Sequence, residues 1–146
     1  MAAEKRADVT WRGDLMSGNG TIERVGSQAF GPIGVSWAAR TGEGQAELTS
    51  PEELIAAAHA ACFSMALSNE LAKAGTPPES LNVAATVTFV PGTGITASAL
   101  DVQGRVPGIT KDAFREAAEQ AKDGCPVSGA LKGNVELSVT AGLASG

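Results

Sequence analysis

One long helix constrains this chain more than any other feature. Ser50 offers an N-cap hydroxyl, Pro51 suits the first helical position, and Glu53 stands three residues after Ser50, as a capping box requires. From Leu54 to Ala74 there is no glycine or proline, and Gly75 with Pro77-Pro78 closes the run. Apolar side chains occur on almost every side between Leu54 and Leu67, which predicts burial all round. A chain of 146 residues has the length for one domain, spanning residues 1–146, and one core. A buried helix in so small a protein must be wrapped by sheet or by a partner chain.

The flanking segments supply sheet. Asp8-Val9-Thr10-Trp11 and Thr21-Ile22-Glu23-Arg24-Val25 alternate polar and apolar, with the Gly-rich break Ser17-Gly18-Asn19-Gly20 between them, a hairpin signal. Ile33 to Ala39 is expected to form a third strand ending near Arg40, followed by the loop Thr41-Gly42-Glu43-Gly44. Val83 to Val90 and Thr96 to Val106 form two more strands, joined through Pro91-Gly92 and Gly94. Thr110 caps a second helix, Lys111 to Asp123, whose Phe114, Ala117, Ala118 and Ala121 share one face. Gly124 stops it, Pro126 restricts Cys125 to an extended shape, and Leu131 to Thr140 is the last strand before a frayed tail. Strands, long helix, strands, helix, strand is an α+β order rather than alternating βαβ.

Composition excludes several function classes. A formal charge of −5 with no basic stretch argues against nucleic acid or an anionic membrane as partner. The mixed-charge start, Met1 to Val9, lacks the apolar core of a signal peptide, and Glu52, Glu53, Asn69 and Glu70 flank an apolar helix segment too short to span a bilayer. A cytoplasmic location follows as the expectation, and there paired cysteines are more often catalytic or redox-active than structural. With 4% aromatic residues and no tyrosine, a stacking platform for bases or sugars is not expected.

Two cysteines carry the chemistry. Cys62 lies mid-helix in Ala60-Ala61-Cys62-Phe63-Ser64-Met65, where a buried thiol often acts only as a small hydrophobe. Cys125 lies at the helix stop, in Gly124-Cys125-Pro126-Val127-Ser128-Gly129. Standing 63 positions apart, they can form a redox pair only if the fold brings them together. His59, one turn before Cys62, reads as a packed helix histidine. One histidine and two cysteines leave a metal site short of ligands, so no metal or cofactor is expected. Glu52 and Glu53 suit the positive end of the helix, and Arg40 alone reads as a solvated charge. Nothing resembles a phosphate-binding loop or a nucleophile elbow.

The run from Ser50 to Leu67, SPEELIAAAHAACFSMAL, closely resembles the core helix motif of the OsmC/Ohr family of thiol peroxidases, and Gly124-Cys125-Pro126-Val127-Ser128 resembles its second cysteine motif. Trp11-Arg12-Gly13 and Val106-Pro107-Gly108-Ile109 match as well, so the likeness covers essentially the whole chain. His59 and Val127 favour the OsmC branch over the Ohr branch. The resemblance implies antiparallel sheets around the central helix, in an intertwined homodimer with its active sites at the subunit boundary. It also implies that Cys62 is the peroxidatic thiol, Cys125 the resolving thiol, and Glu52 the partner of a catalytic arginine. Arg40 is the candidate arginine, with Arg24 and Arg12 as alternatives.

Those residue types suit peroxide cleavage. Desolvation opposes the thiolate, and a guanidinium beside it would favour the thiolate and donate to the developing alkoxide. A carboxylate holds the guanidinium fork. Ten residues of helix rise about 15 Å, so Glu52 can serve Cys62 only through the arginine's reach. Attack gives a sulfenic acid and an alcohol, and Cys125, on a turn that leaves it free to approach, condenses to a disulfide. The family implies that a lipoyl-type dithiol reopens it. Phe63, Met65 and Ile55 suggest an organic hydroperoxide as substrate. The alternatives are a related thiol-using enzyme with other substrates, and a redox or osmotic-stress sensor whose thiols switch without turnover.

Overall fold

The computed structural model describes residues 1–42 and 45–144, and the chain divides into two compact units, Met1–Leu54 and Ile55–Gly146. The first unit is a four-stranded sheet of β1 (Ala7–Arg12), β2 (Asn19–Val25), β3 (Ile33–Val35) and β4 (Leu48–Thr49), in that order. β1–β2 and β2–β3 are antiparallel, and β3–β4 is parallel. The expected hairpin forms. Asp14 ties its turn by accepting the Ser17 amide and hydroxyl at 2.7 Å each. Gly20 faces Trp11 across the ladder, and a Cβ there would meet the indole at 2.6 Å, so only glycine lets the ring lie flat.

The third strand stops at Val35, short of the expected Ala39. Ser36 is extended, its hydroxyl accepts the Ala39 amide at 3.0 Å, and α1 (Trp37–Thr41) begins. Arg40 therefore sits in the last turn of a short helix, not at a strand end. Gly42 caps α1, while Glu43 and Gly44 of the expected loop lie outside the described residues.

The long helix α2 is Pro51–Lys73. The Ser50 hydroxyl accepts the Glu53 amide at 3.1 Å, but Glu53 turns its carboxylate to the Thr49 hydroxyl, 3.0 Å, rather than back to Ser50. At the other end Gly75, with φ +89°, donates to Ala72, and Thr76 donates to Leu71, which together make a Schellman turn.

The second unit adds β5 (Ser80–Val90), β6 (Gly94–Arg105), α3 (Lys111–Gly124), α4 (Pro126–Leu131) and β7 (Glu136–Leu143). β5 and β6 form an antiparallel hairpin, and β6 and β7 run parallel, joined by the α3–α4 crossover. Each sheet thus carries one parallel pair within an α+β fold. Leu131 ends α4 instead of opening the last strand, because Pro126 at a first helical position starts a new helix after Cys125. The tail is not frayed as far as Leu143, which is paired in β7, and Ala144 donates to Gly104 at 2.8 Å; Ser145 and Gly146 lie outside the described residues.

Phe63, Leu67 and Leu71 of α2 pack with Leu100 and Val102 of β6 and Phe114, Ala118 and Ala121 of α3 in one core. Gly104 on β6 makes room for the Phe114 ring, since a Cβ there would lie 2.5 Å from it. Burial of α2 is one-sided, contrary to the reading of its sequence. His59, Phe63, Leu67 and Leu71 are covered, whereas Ala58, Ala61 and Met65 on another face are exposed, Met65 at 74%. The small residues on the open face made the helix look apolar on all sides. By length and composition α2 would also suffice for a membrane span, because the helix extends beyond the apolar segment expected from the sequence. Its row of core contacts makes it the core helix of the second unit.

Candidate active site

Two pairs of predicted residues come together, one in each unit. In the first, Arg40 Nε donates to both Glu52 carboxylate oxygens, at 2.5 and 3.2 Å. Glu52 is nearly buried and Arg40 partly so, which strengthens the pairing over a surface ion pair. The Trp37 ring lies 5.9 Å from the guanidinium carbon, one helical turn back on α1, and supports the same cation. Arg24, the first alternative arginine, instead donates to Asp8 at 3.2 Å on the β1–β2 ladder. Its engagement there, with Arg6 on the same carboxylate, leaves Arg40 as the arginine bonded to Glu52.

In the second unit the Cys62 and Cys125 thiols lie within hydrogen-bonding reach of one another, both reduced. The fold achieves this by setting Cys62 on α2 beside the junction of α3 and α4. Their burial reverses the expectation: Cys62 is half-buried, and Cys125 is only 1% exposed. Nor does Cys125 have the freedom of a loop. Its amide donates to Ala121 at 2.9 Å and its carbonyl accepts from Gly129 at 3.0 Å, so two helices fix its backbone.

Burial pushes the Cys62 thiol above its ordinary value, and its bond with Cys125 acts the same way, against the Val127 amide. Burial also acts to raise Cys125. The adjoining Cys62 thiol, the Ser128 amide and hydroxyl and the Val127 amide outweigh it, and Cys125 falls below its ordinary value. The more accessible sulfur is therefore the one less inclined to ionise within its own unit.

Two residues not singled out on their own, Ser98 and Ser128, flank His59 in this unit. His59 is fully buried, with Nδ1 2.6 Å from the Ser98 hydroxyl on β6 and Nε2 2.8 Å from the Ser128 hydroxyl on α4. Desolvation holds its pKa below the ordinary histidine value, so the ring is neutral. This is the packed helix histidine expected. Its partners were not: Ser98 sits in an unremarkable strand, and Ser128 was visible only as part of the second cysteine motif. Phe63 is wholly in the core and cannot meet a substrate; Val127 is among the apolar side chains at the edge of the core beside Cys62. Among the described residues no cluster of His, Cys, Asp or Glu could hold a metal ion.

Residues 42–140 match the family described as OsmC-like protein. The chain belongs to the OsmC-like family. It is 40% identical to peroxiredoxin OsmC of Escherichia coli (strain K12) across 141 residues, 94% of this chain and 96% of that protein. It is 33% identical to the organic hydroperoxide resistance protein of Xanthomonas axonopodis pv. citri (strain 306) over 96 residues, 63% of this chain and 66% of that one. Greater identity over more of the chain agrees with the OsmC branch read from His59 and Val127. The crystal structure of an organic hydroperoxide resistance protein from Elizabethkingia anophelis, with crystallant-derived thiocyanate bound, has the same fold. Its TM-score is 0.72 at 24% identity, covering 99% of this chain and all of that one.

Proposed function

We propose that this OsmC-like protein is a cysteine-based peroxidase that reduces organic hydroperoxides to alcohols. The observation that carries the reading is the meeting of Cys62 and Cys125, two reduced thiols from distant parts of the chain. Family membership and the peroxidase names of its relatives support the same reaction class.

Cys62 is the peroxidatic thiol and Cys125 the resolving one, because access outweighs acidity in choosing between them. Cys125 is the readier thiolate, but a peroxide cannot reach a sulfur so deeply covered. Half-exposed Cys62 can be reached, and a cation would offset the burial that opposes its ionisation. The Arg40–Glu52 pair is our assignment for that cation, Glu52 holding the guanidinium fork.

The Cys62 thiolate attacks the distal peroxide oxygen, the O–O bond breaks, and the alkoxide leaves to take a proton as the alcohol. The Cys125 thiolate then attacks the Cys62 sulfenic acid, the S–O bond breaks, and hydroxide leaves as water once protonated. A dithiol of lipoyl type reopens the disulfide by exchange and is itself oxidised to a cyclic disulfide. Apolar side chains beside Cys62, Val127 among them, favour an organic peroxide over hydrogen peroxide. We place the reaction in the cytoplasm, where thiols are kept reduced.

A second copy of the chain covers the open face of α2 in this reading. Ala58, Ala61 and Met65 are apolar and exposed on the helix that carries Cys62, so a homodimer would shield them.

Single-turnover trapping tests the assignment. Cys125→Ser protein given one equivalent of cumene hydroperoxide should yield a sulfenic acid on Cys62, captured by dimedone and located by peptide mass spectrometry. A Cys62→Ser protein oxidised at Cys125 at a comparable rate would overturn it.

A further inference from the structure

The sulfur of Cys125 ends a line of buried polar groups that the two-thiol chemistry leaves unexplained. Ser98, His59 and Ser128 are each at most 2% exposed, and they link β6, α2 and α4 at 2.6 and 2.8 Å; Ser128 stands in the first turn of α4, which directly follows its N-cap Cys125, and its hydroxyl favours the thiolate there. Burying three polar side chains costs stability unless they are hydrogen-bonded, and among the described residues no buried side-chain nitrogen or oxygen lacks a partner. A core of these dimensions could be filled by apolar residues instead, so the expense points to a use.

We propose that the Ser98–His59–Ser128 chain is a positioning device for Cys125, aiming the Ser128 hydroxyl at the sulfur that closes the disulfide. The donors can be counted. Neutral histidine donates from one ring nitrogen and accepts at the other, and each serine has a single proton to give. If Ser128 donates to Cys125, its oxygen must take the proton offered by Nε2–H. Nδ1 must then accept from the Ser98 hydroxyl. All three bonds then point at the sulfur and polarise one another, as suits a thiolate. When Cys125 is a thiol, the row reverses: S–H to Ser128, Ser128 to Nε2, and Nδ1–H to Ser98.

The His59 tautomer is thereby tied to the protonation of a cysteine it does not touch. Once Cys62 has become a sulfenic acid it no longer offers an S–H to Cys125, and Ser128 remains to hold the attacking thiolate in line. The consequence for disulfide closure rests on the proposed peroxidase reading; the tautomer itself does not. Cys62 of α2 is the titratable group in contact with Cys125. A neighbouring cavity of about 230 Å³ brings Lys122 and Asp123 of α3 and Lys132 beyond α4 beside Ser128.

His59 is the single histidine of the chain, so its imidazole nitrogens can be read without ambiguity by ¹⁵N magnetic resonance on the reduced full-length protein. The ring should stay neutral and pass from the Nδ1–H to the Nε2–H form as Cys125 deprotonates, in step with the thiolate's ultraviolet absorbance in a Cys62→Ser background. A tautomer that ignores Cys125 ionisation would overturn the proposal, even in a protein that turns over no peroxide. Ser128→Ala should uncouple the two titrations and slow disulfide closure about tenfold relative to the peroxide step, as expected for loss of one hydrogen bond to a charged group. Ser98→Ala, farther from the sulfur, should move both readouts in the same direction by less. Closure unaffected in both variants would also contradict the proposal, whereas a purely structural role would lower only their melting temperatures.

Discussion

Single side chains give the sharpest predictions. Replacing Arg40 with alanine should slow Cys62 oxidation on the order of 10²-fold, the usual loss for one aimed donor, while leaving the reaction of Cys125 with the sulfenic acid untouched. Stopped-flow oxidation kinetics would measure it. His59 makes a prediction about stability. Its folded pKa is depressed, so its contribution is complete above the unfolded value of about 6.5 and is lost as pH falls through the folded one. Denaturant midpoints should therefore decline below about pH 6.5, and His59→Leu should flatten that limb. The four proposed site residues were all legible in the sequence, through two cysteine motifs, a helix-start glutamate and one arginine. The Ser98–His59–Ser128 line was not. Ser98 and Ser128 are thirty residues apart with no shared period, and only the β6–α3–α4 crossover brings both to one ring. Which thiol is buried was equally hidden, since depth is set by what packs over a helix and not by the helix's own sequence.

Elements obey local signals where those signals are strong. The Ser50 cap, the Gly75 stop and the strand pair β5–β6 joined through Pro91-Gly92 and Gly94 each appeared in the fold as read. α1 and α4 were missed because five and six residues are too few for a helical period. Their starts were nonetheless written, as Ser36 before α1 and Pro126 at the opening of α4. Two substitutions test these local accounts. Ser50→Ala should cost about 1 kcal/mol by removing the cap of α2. Gly104→Ala should cost about 1–3 kcal/mol, because the new methyl meets the Phe114 ring in a closed core. Urea unfolding would give both, and a neutral Gly104→Ala would mean that α3 can slide off β6 without penalty.

At the scale of the whole molecule, the apolar stripe on α2 is the feature the single chain leaves unresolved by its own packing. A helix read as buried on every side proved to be buried on one, and the difference measures what a second copy would cover. Sedimentation should find a dimer, and Met65→Asp should shift it toward monomer by placing a charge in the exposed stripe proposed to meet the second copy. A monomeric wild type would remove the second copy from the account without touching the thiol chemistry. That chemistry is tested most directly by turnover. Purified protein with dihydrolipoamide should consume many equivalents of cumene hydroperoxide, and Cys62→Ser should consume none. Consumption that stops after one equivalent, or that survives the loss of Cys62, would contradict a peroxidase working through this pair of thiols.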